Sequence, residues 1–233
     1  MNDSFIMNKM KATDLNKIIE SSINIFSLKG YRNTQMVEIA RDIGVSSGYI
    51  YTYFESKEAL FDFLLRHIFL NDSQTSDLST VSNLKSASMV GSTYNSIKER
   101  YKANRYFPIL FETVINKKNN NWTDNFQKIL DELYRMFYKY KDGILLLERS
   151  FLDWPDLANF FFKEVRIELI SCLEKFLRMK KENKAKLDHY TFARFIVDVL
   201  AYTTIFSHRD KYLPDIDDQM AKSTLMYYFS HIE

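Results

Sequence analysis

Apolar residues recur every three or four positions along most of this 233-residue chain, which is the spacing of one face of an α-helix. The first such stretch begins at Thr13 and closes at Lys29 and Gly30, a cation followed by a glycine suited to a helix end. The spacing predicts an amphipathic helix of about four turns. Its apolar face consists of Leu15, Ile18, Ile19, Ile23 and Phe26.

Two short helices and a longer fourth one are predicted next. The second spans Gln35–Asp42, with Thr34 as its N-cap, because a threonine hydroxyl can accept a hydrogen bond from a free amide of the first turn. Ser46 or Ser47 is expected to cap the third helix for the same reason. The fourth helix begins at Ser56.

A polar segment, 71–83, then separates this head from a larger body. Helix breaks are expected at the Lys141-Asp142-Gly143 segment and at the Trp154-Pro155 pair, since glycine and proline interrupt helices. The helices predicted for the body span 84–103, 106–117, 124–141, 143–151, 156–182, 187–207 and 216–231.

Composition favours an all-α fold. Hydrophobic residues make up 46% of the chain, enough for a packed core, whereas 5 glycines and 3 prolines are too few for a turn-rich β architecture. We expect a head over 9–55, a connecting helix over 56–70 and a helical body over 71–233.

The cysteine and charge content bear on compartment and partners. The single cysteine, Cys172, and the lack of a leader or a long apolar run predict a cytoplasmic protein without a membrane span. The net charge is +2, and residues 1–66 carry eight Lys or Arg against eight Asp or Glu. A head without a basic surplus is unusual for a nucleic-acid binder, so DNA binding requires its cations to lie on one face.

One motif nevertheless points to DNA. Ala40 is small enough to let a second helix cross closely, and Gly44 can adopt the positive φ that ends the first helix. Ile39 and Ile50 are spaced to face each other and close a small core. This pattern is typical of a helix-turn-helix, whose second helix commonly enters the major groove.

The segment from Ile18 to Leu60 resembles the amino-terminal domain of the tetracycline-repressor (TetR) family. Tyr49 is bulkier than the small polar residue usual at its position, and Val37 replaces a residue that is often polar, so the resemblance leaves the base preference open. It implies a DNA-binding head and an all-helical body that binds a ligand and dimerises. The matching residues are Phe26, Gly30-Tyr31, Thr34, Ile39-Ala40, Gly44-Val45-Ser46, Gly48, Ile50-Tyr51, Tyr53-Phe54, Ser56-Lys57-Glu58 and Leu60.

DNA contacts are expected at the start and outer face of the third helix and at a few residues around it. Residues at the start and outer face of the third helix can reach base edges. Tyr51, Tyr53 and Lys57 resemble family residues that hold phosphates. The alternatives are a solvated surface helix, tyrosines that only pack and a solvated lysine. The full predicted set is Lys11, Thr34, Gln35, Ser46, Ser47, Gly48, Tyr49, Tyr51, Thr52, Tyr53 and Lys57.

The body supplies two further sets, each with ordinary core packing as the alternative. Aromatic residues and a methionine can wall an apolar pocket, namely Phe107, Phe111, Met136, Phe137, Tyr140, Trp154, Phe160 and Phe161. The last two predicted helices are apolar on more than one side, as at a subunit interface. Their predicted dimer residues are Phe192, Phe195, Ile196, Val199, Leu200, Met220, Leu225, Tyr228 and Phe229.

The sequence therefore predicts a homodimeric transcriptional repressor that a small, largely apolar effector releases from a palindromic operator. The alternative is a DNA-bound adaptor whose body binds a protein. The four histidines lie singly and no metal or nucleophile motif is present, so we predict no enzyme activity, metal or cofactor.

Overall fold

The computed structural model describes residues 3–70, 90–103, 106–117, 121–180, 188–206 and 217–230, with the side chains of 3–13, 90–92 and 230 left out of the description. Regular structure in these ranges is entirely helical, which confirms the all-α prediction. The helices are α1 Asp3–Asn33, α2 Met36–Asp42, α3 Ser47–Tyr51, α4 Lys57–Leu70, α5 Val90–Lys102, α6 Pro108–Ile115, α7 Trp122–Arg149, α8 Pro155–Asn159, α9 Arg166–Leu177, α10 His189–Ala201 and α11 Asp218–Ser230.

The first helix starts earlier than predicted, at Asp3 rather than Thr13. Its regular course ends at Gly30 as predicted, where φ is +78° and the chain turns before continuing to Asn33. A residue with a Cβ rarely adopts that φ, which explains why a glycine is found there.

The break predicted at Lys141-Asp142-Gly143 is wrong, because α7 runs unbroken from Trp122 to Arg149. Gly143 lies inside this helix, against the end of α4. A Cβ on Gly143 would lie 2.5 Å from Cζ of Phe69 and 2.8 Å from Cγ2 of Ile68. This glycine therefore permits close helix packing rather than ending a helix.

The predicted helix 156–182 is divided into three parts. A π-helical turn, Phe160–Val165, joins α8 to α9, and α9 ends at Leu177. A second π-helical turn, Tyr202–Phe206, extends α10. Among the described helices, none is both long and apolar enough to cross a membrane.

The chain divides into two compact units. The first unit comprises residues 1–99 and 142–158, and the second comprises residues 100–141 and 159–233. Helix α7 contributes residues to both. The division into 9–55, 56–70 and 71–233 remains a prediction, and the new finding is that 142–158 packs with the head. Fully buried side chains fill each unit: Phe26, Phe54, Leu60 and Phe61 in the first, and Phe126, Phe160 and Phe176 in the second.

Candidate nucleic-acid interface

Helices α2 and α3 have the geometry that the sequence motif predicts. Ala40 is buried between them, and Ile39 and Ile50 are fully buried. Gly44 has φ +75° in the turn, and the Val45 amide donates to the Ala40 carbonyl at 2.9 Å. These short-range constraints hold α3 at a fixed angle to α2.

The capping prediction is confirmed for α3 and wrong for α2. Ser46 is the N-cap of α3, and its side chain accepts from the Tyr49 amide. The N-cap of α2 is Gln35, whose backbone amide donates to a Glu38 carboxylate oxygen at 3.1 Å. Thr34 is buried, and its hydroxyl donates to the Gly30 carbonyl at 2.8 Å. The Thr34 hydroxyl was expected to cap α2. It bonds to the Gly30 carbonyl instead, which the turn at Gly30 brings within reach.

The outer face of α3 offers polar groups to solvent. Ser46, Gly48 and Thr52 are exposed, and Ser47 is half-buried. The Thr52 hydroxyl donates to the Tyr49 carbonyl at 2.7 Å. Tyr51 is 48% exposed. This face lies opposite the buried Ile50, so a partner could reach it without disturbing the core.

Tyr49 and Tyr53 are tied to α1. The Tyr49 hydroxyl donates to an Asp14 carboxylate oxygen at 2.5 Å and lies 3.0 Å from the Tyr53 hydroxyl. The two rings meet edge to face at 5.4 Å. The hydrogen bond to Asp14, followed by that to Tyr53, raises the pKa of Tyr49. Tyr53 is buried. The Tyr49 phenol therefore joins α3 to α1, and Tyr53 supports it from the same side.

Lys57, at the start of α4, faces the end of α1. Its Nζ donates to the carbonyl oxygens of Tyr31 at 2.8 Å and Thr34 at 3.0 Å. A third acceptor is the Arg32 carbonyl at 3.3 Å, and the ammonium lies 4.5 Å from the centre of the Tyr31 ring. Carbonyls at a helix end attract cations. The ammonium thus caps the end of α1.

Gln35 and Lys11 are the remaining members of the predicted DNA-binding set. Gln35 is exposed at the start of α2. Lys11, expected just before the first helix, lies within α1, and its side chain is outside the described residues. Asp14 was not predicted as a partner of α3, because no local pattern links residues that lie 35 positions apart.

Most of the predicted pocket residues lie in an aromatic cluster of the second unit. Tyr101 was not predicted as a pocket residue. The centre of its ring lies 5.6 Å from that of Phe160 and 6.4 Å from that of Phe111. Burial and the nearby Glu168 raise the pKa of the Tyr101 phenol. Other ring pairs here are Tyr106–Tyr140, Phe107–Phe137 and Phe160–Phe161. Met136 is half-buried on α7.

Trp154 belongs to the first unit instead. Its ring contacts Tyr31 at 5.4 Å and Phe61 at 6.3 Å. It therefore packs in the head core.

The predicted dimer residues divide between buried and exposed. Ile196 and Leu200 are buried, as is Phe229, which contacts the ring of Phe192 at 6.3 Å. Val199 and Leu225 are half-buried. The exposed members are Phe195, Met220 and Tyr228.

A groove of about 520 Å³ lies between α7 and α11 in the second unit. Two interactions connect the helices on either side of this groove. The Tyr134 hydroxyl donates to the Asp218 carbonyl at 2.9 Å, and Lys222 forms a salt bridge with Asp131 at 2.5 Å. Its lining residues are Tyr134, Tyr138, Asp218, Gln219, Lys222, Ser223 and Met226. None of these residues belongs to the pocket set predicted from the sequence.

Comparison with known proteins supports the same interpretation of the head. The model of the bacterial regulatory proteins of the tetR family matches residues 18–63. The chain is 42% identical over 52 residues to the uncharacterized HTH-type transcriptional regulator YuxN of Bacillus subtilis, which is 22% of this chain and 18% of that protein. It is 35% identical over 66 residues to the probable HTH-type transcriptional regulator YttP of the same species, covering 28% and 32%. The matched segments span less than a third of either relative.

The fold as a whole is similar to that of the ketosteroid transcriptional regulator KstR2 of Mycobacterium tuberculosis. The TM-score is 0.52 at 15% identity, over 92% of this chain and 90% of that chain. At this identity the likeness concerns the fold alone. The amino-terminal segment, residues 18–63, therefore matches the tetR family of bacterial regulatory proteins and has the helix-turn-helix geometry described above.

Proposed function

We propose that this chain is a homodimeric transcriptional repressor that a small, largely apolar effector releases from a near-palindromic operator. The observation that carries the proposal is the outer face of α3. Gly48 and Thr52 are exposed there, while Ile50 on the opposite side is fully buried. A helix presented in this way fits the major groove, which is about 12 Å wide.

The predicted DNA-binding residues then divide by their surroundings. We assign base contacts to Ser47, Gly48 and Thr52, and phosphate contacts to Gln35 and Tyr51, because these groups reach solvent. Ser46 holds the start of α3 by capping it. We assign Thr34, Tyr49, Tyr53 and Lys57 to holding the helices in place, since the hydrogen bonds of these side chains are made inside the head.

Dimerisation is proposed through α10 and α11. Phe195 is 54% exposed and Tyr228 is 64% exposed, although both are large apolar side chains. Exposed aromatic residues on neighbouring helices are typical of a surface that a second subunit covers. A two-fold axis would place two copies of α3 in successive major grooves.

The effector is proposed to bind among the aromatic rings of the second unit around Tyr101. Apolar pockets with a few polar groups are the usual sites for small ligands. An effector releases the repressor only if it binds the free state more tightly than the DNA-bound state, and a coupling of about 1–3 kcal/mol is common.

Selection of duplexes from a random library by the purified chain tests the DNA proposal. We expect a selected site with two half-sites about one helical turn, or 10 bp, apart, and a dimer by analytical ultracentrifugation. Tyr51→Phe should weaken binding to all duplexes alike, whereas Thr52→Ala should change the selected sequence. A monomer that binds no duplex at low salt would exclude the proposal. If DNA is bound but a panel of small apolar molecules has no effect, while a protein partner does release it, the adaptor alternative holds instead.

A further inference from the structure

The end of α1 packs against residues far along the chain. Gly30 lies so close to the last residue of α7 that a Cβ on this glycine would fall on the Arg149 carbonyl oxygen. The obstacle is backbone, which cannot rotate away as a side chain can. The turn between α7 and α8 is therefore fitted closely to the end of α1.

Two amides that follow Gly30 find their acceptors in this turn. The Tyr31 amide donates to the Ser150 hydroxyl at 3.1 Å, and Ser150 is only 1% exposed. The Arg32 amide donates to one carboxylate oxygen of Asp153 at 3.2 Å, and Arg32 Nε donates to the other at 3.1 Å. The Asp153 side chain is 14% exposed. The Arg32 side chain is 74% exposed, and hydrogen bonds to a carboxylate are generally stronger than neutral ones.

The same short segment leads directly into the helix-turn-helix. Thr34 returns a hydrogen bond to the Gly30 carbonyl, and α2 begins at Met36. Lys57 holds the carbonyls of this segment from the side of α4. The direction in which the chain enters α2 is thus fixed by α4 on one side and by the α7–α8 turn on the other.

We propose that Ser150 and Asp153 are positioning residues for DNA binding, although they lie outside the matched segment 18–63. By holding the amides of Tyr31 and Arg32, they fix the path from α1 into α2 and so the orientation of α3. The proposal rests on the proposed DNA-binding function.

The test uses the full chain with Ser150→Ala, Asp153→Ala and a matched control, Asp156→Ala. Asp156 is exposed in the first turn of α8, so its substitution removes the same charge three residues away from Asp153. Far-UV circular dichroism establishes that each variant is folded at the temperature of measurement. The two readouts are amide hydrogen exchange across residues 31–52 and affinity for a duplex selected by the wild-type chain.

Each positioning variant is expected to speed exchange in α2 and α3 and to weaken duplex binding by about five- to tenfold, the effect of losing one or two hydrogen bonds. The salt dependence of binding should stay unchanged, because no phosphate contact is removed. Asp156→Ala should match the wild type in both readouts.

A merely structural role gives a different result. It would lower the melting temperature while leaving exchange in α2 and α3 and the affinity of the folded protein as in the control, and this outcome would overturn the proposal. If Ser150→Ala does not fold, Asp153→Ala decides by the same criteria. If the wild type binds no duplex, the proposed function fails, and unchanged exchange in α2 and α3 would separately refute the positioning role.

Discussion

Replacing Lys57 with methionine tests what this residue does. The substitution keeps an unbranched apolar stem and removes the ammonium that lies against three carbonyls at the end of α1. The resemblance to the TetR family predicts a phosphate contact for Lys57, whereas its hydrogen bonds indicate a helix cap. The two roles have different consequences for stability and for the salt dependence of DNA binding.

The expected loss of stability follows from the bonds involved. Hydrogen bonds to a charged group contribute about 1.5–3 kcal/mol net, and a cation over an aromatic ring contributes about 0.5–1 kcal/mol at an exposed site. The three carbonyls share one ammonium, so their contributions are not additive. We therefore expect the first unit to lose about 2 kcal/mol, which at about 1–3 kcal/mol per M of urea lowers its midpoint by about 1 M.

The two tryptophans allow the units to be followed separately. Trp154 packs against Tyr31 in the first unit, and Trp122 stacks on Phe176 in the second. In a Trp122→Phe background, fluorescence therefore reports the first unit, and Trp154→Phe gives the converse reporter. Lys57→Met is expected to lower the midpoint of the first unit only. Lys17→Met is the matched control, because Lys17 is exposed on α1 and its loss should leave both midpoints unchanged.

Binding to a selected duplex at several salt concentrations completes the test. A lost phosphate contact reduces the slope of log affinity against log salt by about one, whereas loss of a cap lowers affinity without changing the slope. We expect an unchanged slope. An unchanged urea midpoint together with a reduced slope would show that Lys57 contacts phosphate, and the assignment as a cap would be wrong.

Three further outcomes are expected for the first unit, each measured by urea denaturation. Gly30→Ala should destabilise more than Gly44→Ala, since both glycines have positive φ but only at Gly30 would a Cβ meet backbone. The hydrogen bond from Lys29 lowers the pKa of Glu38. The ionised Glu38 therefore contributes to the stability of the first unit above its ordinary pKa of 4.5, and this contribution is lost as the pH falls below that value. In Glu38→Gln, the urea midpoint should depend less on pH in this range. Tyr49→Phe removes the hydrogen bond to the Asp14 carboxylate and should cost about 1.5–3 kcal/mol, and an unchanged midpoint would contradict this.

The sequence predicted the features that depend on neighbouring residues. The helix-turn-helix follows from Ala40, Gly44 and Ile50, whose sizes and spacing are sufficient to close the motif. The end of the first helix at Gly30 was likewise signalled locally. The start of that helix at Asp3 was missed, because Thr13 and Asp14 are residues suited to a helix N-cap.

Features that depend on distant residues were not predictable. Gly30 and Gly143 look alike in sequence, because each directly follows a charged residue, Lys29 and Asp142 respectively. Gly30 ends a regular helix by its positive φ, but Gly143 stays helical and accommodates Phe69 from another helix. Only the packing partner distinguishes them. The same holds for Lys57, whose acceptors are more than twenty residues away.

The contacts of α1 explain why the folded head is larger than its matched segment. Near its middle, α1 holds α3 through the hydrogen bond between Asp14 and Tyr49, and its end holds the entry to α2 through Gly30 and Thr34. Both attachments join α1 to the helix-turn-helix. Residues 142–158 belong to the same unit and hydrogen-bond to the end of α1, so the proposed DNA-binding surface includes a contact with a segment remote in sequence. If Ser150 and Asp153 act as proposed, a shift of the turn that follows α7 moves the end of α1 and with it the entry to α2.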